Sequence, residues 1–182
     1  MPEDEELDEA GAATLARAIE AGEDGIEVPQ TMVDEPETAL QPAQARSLYA
    51  EILAMSVTKK IKLALKGNQD ARLILIRDTN RLVRRFVLAN PRVTENEIVS
   101  IVRNKSADDE LLRIIIDRRD WMRLYQVRVG LATNPKTPVA VALRQVATLE
   151  ERDIRQLARS KNVPAAIAAH ARRLILTRQQ AG

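Results

Sequence analysis

Residues 82–102, LVRRFVLANPRVTENEIVSIV, decide how the rest of the chain is read. Leu82, Val83, Phe86 and Val87 fall on one face of a helix, with Arg81, Arg84 and Arg85 on the other. Asn90-Pro91 ends that helix, because proline disfavours the α conformation in the residue before it. Thr94-Glu95-Asn96-Glu97 then reads as a capping box: the Thr94 hydroxyl takes a free amide while Glu97 reaches back. Ile98, Val99, Ile101 and Val102 carry a second helix to Asn104. The stretch is helix, stop, helix.

A relative of this phrase lies at 124–146, LYQVRVGLATNPKTPVAVALRQV, with its Asn134-Pro135 stop 44 residues after the first. Three turn phrases interleave with the two stops: GNQDARL at 67–73, KSADDEL at 105–111 and KNVPAAI at 161–167. Each puts a cap or proline in fourth place and a packing residue in seventh. The 44-residue spacing falls in the ~40–47-residue period of HEAT and armadillo units. With its LA-x-NP stops, the chain over residues 56–177 resembles the HEAT-like and leucine-rich-repeat-variant families of bacterial α-solenoids. The resemblance implies a stacked-helix scaffold used for binding, with no catalytic residues to carry over. The expected fold is all-α. Short stacked helix pairs form an irregular α-solenoid or a compact helical-repeat bundle, because one short pair cannot bury its own apolar face.

Composition agrees. Aromatics are few (Phe86, Trp121, Tyr49, Tyr125), and aliphatic residues and arginine favour helix over sheet. The absence of cysteine excludes disulfide and thiolate chemistry. No apolar run approaches the ~20 residues of a membrane span, and the acidic Met1–Glu9 segment is the opposite of a signal peptide's basic start. A soluble, cytoplasmic protein is expected.

The net charge of +2 hides an asymmetry. Residues 1–45 carry 13 Asp/Glu against one base, Arg17; residues 46–182 carry 27 Lys/Arg against 13 Asp/Glu. Residues 1–45 are therefore read as a largely disordered acidic arm, 46–178 as the helical-repeat domain and 179–182 as a tail. One helix is allowed in the arm, Leu7 to Ala21, marginal alone because its apolar stripe is narrow. The arm either solubilises, folds on a partner or covers the basic body.

Within the body, Lys59, Lys60, Lys62 and Lys66 are expected outward from a helix over 56–66, and Asp70 is expected to cap the next helix. Residues 108–117 are apolar nearly all round, predicting a buried helix. A single long helix is expected from Asp120 to Ala132, with Trp121 either in the core or exposed as an interface anchor. Thr148 to Glu151 repeats the capping-box pattern, and the last helix runs from Pro164 to about Thr177.

No phosphate loop, nucleophile elbow or metalloprotease motif is present. His170, the only histidine, lacks partners for a zinc site and reads as a helix-surface residue. Paired acids such as Asp108-Asp109 sit at helix starts, where the dipole stabilises them. No catalytic, metal or cofactor residue is assigned. The candidates for binding are Arg81, Arg84 and Arg85; Arg119, Trp121 and Arg123; and Arg152, Arg155 and Arg159. The expected function is a non-enzymatic scaffold whose basic surface binds another protein's acidic surface, modulated by the arm. The alternative is nucleic acid held through its phosphates. Scarce aromatics argue against reading single strands, and the excess of Arg over Lys, 21 to 7, is also a compositional trait.

Overall fold

In the computed structural model, residues 7–36 and 40–180 are described, and they form twelve α-helices and one 3-10 turn with no strand. Their contacts divide the chain into two compact units, Met1–Val93 and Thr94–Gly182. The division falls inside the opening phrase, between its stop and its capping box, rather than at residue 45.

The first unit holds α1 (Glu9–Ala21), the 3-10 turn (Gln30–Met32), α2 (Pro42–Ala54), α3 (Val57–Lys66), α4 (Gln69–Leu75) and α5 (Arg81–Val87). Its centre is α3, capped by Ser56 and packed on α1, α4 and α5. Ile61, Leu63, Ala64 and Leu65 are all buried, so α3 has little outward face. Two of its lysines therefore point to carboxylates instead of solvent: Lys60 to Asp78 at 3.0 Å and Lys62 to Asp24 at 2.8 Å. The cap of α4 is Asn68, whose Oδ1 accepts from Ala71 N at 3.0 Å; Asp70 lies in the first turn.

The N-terminal segment departs from the expected disordered arm. Its described residues, 7–36, belong to the core of the first unit: Ala12, Ala16, Ile19 and Met32 are buried there with α3, α4 and α5. Asp8 caps α1 by accepting from Gly11 N at 2.7 Å. At the other end Gly22 takes φ 76°, a conformation costly for a residue with Cβ, and donates to the Ile19 carbonyl. A helix too weak alone is completed by packing. Few large apolar residues are needed, because Ala12 and Ala16 let α1 approach its neighbours closely around Ile19. The parts of the expectation concerning residues 1–6, 37–39 and 181–182 lie outside the described residues.

The second unit holds α6 (Glu95–Arg103), α7 (Asp109–Asp117), α8 (Arg119–Arg123), α9 (Tyr125–Thr133), α10 (Val139–Ala147), α11 (Glu151–Arg159) and α12 (Ala165–Gln180). Helix α6 packs on α9, α9 on α10, and α12 on both α10 and α11. The capping box at its entrance is formed: Glu97 N donates to Thr94 Oγ1 at 3.3 Å, and Thr94 N to Glu97 Oε2 at 2.9 Å. Gly130 is required by the contact of α9 with α6, since a Cβ there would lie 2.5 Å from Val102 Cγ2.

Several local expectations are corrected here. The long helix breaks at Leu124, which is extended (φ −68°, ψ 120°), leaving the short α8 with no fully buried residue. Helix α7 buries one face, Leu111, Leu112 and Ile115, while Ile114 and Ile116 are half-buried. Thr148 starts no capping box; its hydroxyl donates back to the Gln145 carbonyl at 2.8 Å, and α11 has no side-chain cap. Helix α12 runs on to Gln180.

Two buried side chains 44 residues apart close helix ends in the same manner. The buried Asn90 donates through Nδ2 to the Ala64 and Gly67 carbonyls, at 2.9 and 3.2 Å, at the end of α3. The buried Asn134 donates to the Val102 and Asn104 carbonyls, at 2.7 and 3.0 Å, at the end of α6. Each Asn also accepts from the amide two residues on, Arg92 N or Lys136 N, at 2.9 Å, which shapes the turn through its proline. A further 44 residues on, the exposed Arg178 Nη2 donates to the Ala147 carbonyl at the end of α10, at 3.2 Å, a surface contact unlike the two buried ones. A buried helix terminus needs such donors for its orphan carbonyls.

Candidate functional site

The arginines predicted from sequence fall on three helices: α5 in the first unit, α8 and α11 in the second. Their circumstances differ.

On α5, Asn80 caps the helix by accepting from Leu82 N at 2.8 Å, and the i, i+3, i+4 spacing brings Arg81, Arg84 and Arg85 to one side. Arg84 turns back on its own entrance, donating to the Asp78 and Thr79 carbonyls at 2.6 and 3.0 Å. Arg81 and Arg85 close on one carboxylate, Glu9 Oε1 of α1, with Arg85 Nη1 at 3.3 Å. The expected basic face of the first unit is thus already occupied by the chain's own acid.

That pairing is one of three. Lys62 Nζ donates to Asp24 Oδ1 and Oδ2 at 2.8 and 3.1 Å and to the Ile26 carbonyl at 2.6 Å. The Lys62 hydrogen bond holds the Asp24 carboxyl below its ordinary value of 3.8, against the opposing effect of burial. Glu35 accepts from Arg72 Nη1 at 3.2 Å and from Gln69 N at 3.0 Å, and Arg92 Nη1 stands 3.8 Å away. Arg72 is 1% exposed, so its guanidinium needs these partners, together with the Gly67 carbonyl at 2.9 Å. Asn68 Nδ2 completes the clasp on the Thr31 and Asp34 carbonyls, at 3.0 and 2.9 Å. None of Glu9, Asp24, Glu35, Lys62, Arg72 and Arg92 stood out in the sequence as a functional residue. The one available signal was the charge asymmetry itself, which names no pair.

On α8, Arg119 and Arg123 are exposed, and among the described residues Arg123 pairs with Asp120, at 3.6 Å, itself exposed. Trp121 is neither core nor a bare anchor. It is half-buried beneath the Arg118 guanidinium, 4.6 Å above its ring centroid.

On α11, Arg152, Arg155 and Arg159 are all exposed. Arg155 pairs with Glu151 one turn earlier, Arg152 stands 3.7 Å from neighbouring Asp153, and Arg159 makes no ion pair or hydrogen bond among the described residues. With Gln156, Lys161 and Asn162 they line an open groove of about 700 Å³. The helix is positioned by Tyr125 of α9, whose hydroxyl donates to Asp153 Oδ2 and accepts from Glu150 N at 3.1 Å. Burial first, then the Asp153 carboxylate, pushes the Tyr125 hydroxyl's pKa up, which keeps it a donor. Arg172 of α12 closes the far end of α11 on the Ala158 carbonyl at 3.0 Å.

Other arginines of the second unit serve structure: Arg128 reaches the Thr148 carbonyl and Arg178 that of Ala147. His170 is half-buried on α12, and no group of three His, Cys, Asp or Glu among the described residues is placed to hold a metal ion. No described helix is long and apolar enough to cross a membrane. No protein-family model, curated protein or solved structure matches this chain.

Proposed function

We propose that the chain is a non-enzymatic helical-repeat scaffold that binds an acidic surface of another protein through the arginine face of α11. The observation that carries this reading is the contrast in charge satisfaction. One carboxylate distant in sequence, Glu9, occupies Arg81 and Arg85, whereas Arg152, Arg155 and Arg159 border an open groove with at most local acids. The first set serves as a worked example of what the second would bind. The 44-residue recurrence of the buried Asn90 and Asn134 at helix ends supports the repeat reading, in which each set of helices completes its neighbour's core.

Bidentate arginine contacts suit carboxylate and phosphate alike, so the test must separate them. The full chain and its R152E/R155E/R159E variant would be used as bait in a native lysate, with and without nuclease, at low and moderate salt. A discrete protein retained after nuclease and lost with the variant is the expected result. Retention that disappears with nuclease and falls steeply with salt would replace this reading with phosphate binding, since phosphate contacts release counterions.

A further inference from the structure

The N-terminal segment is attached in two unlike halves. Its downstream half is clasped by buried polar groups: Asp24, with a side chain 2% exposed, on Lys62; the Thr31 and Asp34 carbonyls on Asn68; Glu35 on buried Arg72. Its upstream half, α1, has a seam of mostly small residues flanked by the half-buried Leu7 and Leu15, and a surface ion pair. The seam is Ala12, Ala16 and Ile19, which with Glu9 stand at i, i+3, i+7 and i+10, on one face. The ion pair of Glu9 with Arg81 and Arg85 is more than 40% exposed on every side chain, the kind that holds least. Between the halves stands the left-handed Gly22, where the chain can turn without disturbing the clasp.

We propose that the seat of α1 on α3 and α5 is a docking site for an acidic helix of a partner protein, with α1 its resident placeholder. The seat selects its occupant by two features. Arg81 and Arg85 converge on one point and require a carboxylate there; the close approach to α3 accepts small side chains three and seven residues later and one aliphatic side chain at the tenth. Local opening of α1, with the Asp24–Glu35 clasp intact, empties the seat without opening the rest of the first unit. An incoming helix then competes with a tethered one, and its apparent affinity is reduced by the fraction of time α1 is home. The inference shares with the proposed function only the choice of an acidic partner; its site is in the other unit.

The probe is a labelled peptide of residues 7–22, titrated by fluorescence anisotropy onto the full chain. An Ile19→Asp chain, unable to seat its own α1, should bind the peptide about tenfold more tightly than wild type. A Glu9→Arg chain, altered only at the surface, should show a smaller gain in the same direction. A peptide carrying Glu9→Arg should lose binding and regain it on an R81E/R85E chain, a swap that nonspecific adhesion cannot reproduce. Hydrogen exchange on wild type should show α1 amides exchanging well before those of α3. Equal protection of α1 and α3, or no saturable binding by the Glu9→Arg chain, would overturn the proposal. The R152E/R155E/R159E chain should bind the peptide as wild type does, so failure of the α11 reading would leave this result untouched.

Discussion

The two units handle the same raw material differently. Residues 46–93 carry 11 Lys/Arg against 3 Asp/Glu, but the preceding 45 residues bring the first unit to 12 against 16. Residues 94–182 carry 16 Lys/Arg against 10 Asp/Glu within their own unit. In the first unit the ion pairs join residues far apart in sequence, Glu9 to Arg81, Asp24 to Lys62 and Glu35 to Arg72. On α8 and α11 they join neighbours within four residues. A distant pair with a buried member, as at Asp24–Lys62 and Glu35–Arg72, ties the fold together and uses up a cation. An exposed pair such as Glu9–Arg81 does so weakly and a pair within one helix not at all, because exposed pairs contribute little and exchange readily with a partner's charge. The difference teaches that arginine content alone does not locate a binding face. What matters is whether the chain has already supplied the counter-charge.

Three changes would test that contrast. The largest effect is expected from Glu35→Ala, which strips the carboxylate from buried Arg72 and the cap from Gln69 N. It should destabilise the first unit by roughly 2–3 kcal/mol, below the full cost of breaking a buried pair, because Glu35 is itself 44% exposed and Arg72 keeps the Gly67 carbonyl. The readout is faster hydrogen exchange in α3 and α4, while α11 and α12 keep their protection. Equal loss in both units would mean that they do not open separately, and the comparison would fail. Next is Gly130→Ala, which places a methyl group against Val102 and should cost the second unit about 2 kcal/mol in chemical denaturation. An unchanged midpoint would show that α6 and α9 yield easily, making the second unit the looser one.

The smallest effect concerns Asp24. Its folded pKa is lowered, so its contribution to stability is present above the ordinary value of 3.8 and is lost as pH falls through the lowered folded value. Thermal midpoints of wild type and Asp24→Asn should therefore differ at neutral pH and converge in acid. A constant gap would remove the Asp24–Lys62 pair from the account.

Much of this molecule was legible in local sequence. The stop at Asn90-Pro91, the Thr94–Glu97 capping box and the arginine faces of α5 and α11 all follow from rules that act within one turn of backbone, and each is found where those rules put it. The errors share a physical origin. Residue type lets Asp70 and Thr148 act as caps, but Asn68 is the side chain that accepts from the Ala71 amide, and the Thr148 hydroxyl turns back to donate to the Gln145 carbonyl. Leu124 breaks a helix that its neighbours' propensities favour, and no proline or glycine marks the place.

What the sequence by itself determined is the all-helical character, because helical periodicity, caps and stops are local and add up along the chain. What only tertiary structure decided is which charges are spent. The N-terminal segment looked disordered because its own apolar residues are few and small, and they become sufficient only against α3. Asn90 and Asn134 looked like mere helix stops, yet each satisfies the carbonyls of a helix more than twenty residues earlier. Burial and counter-charge depend on residues brought together by folding across such distances, and no reading confined to one window of sequence contains both partners.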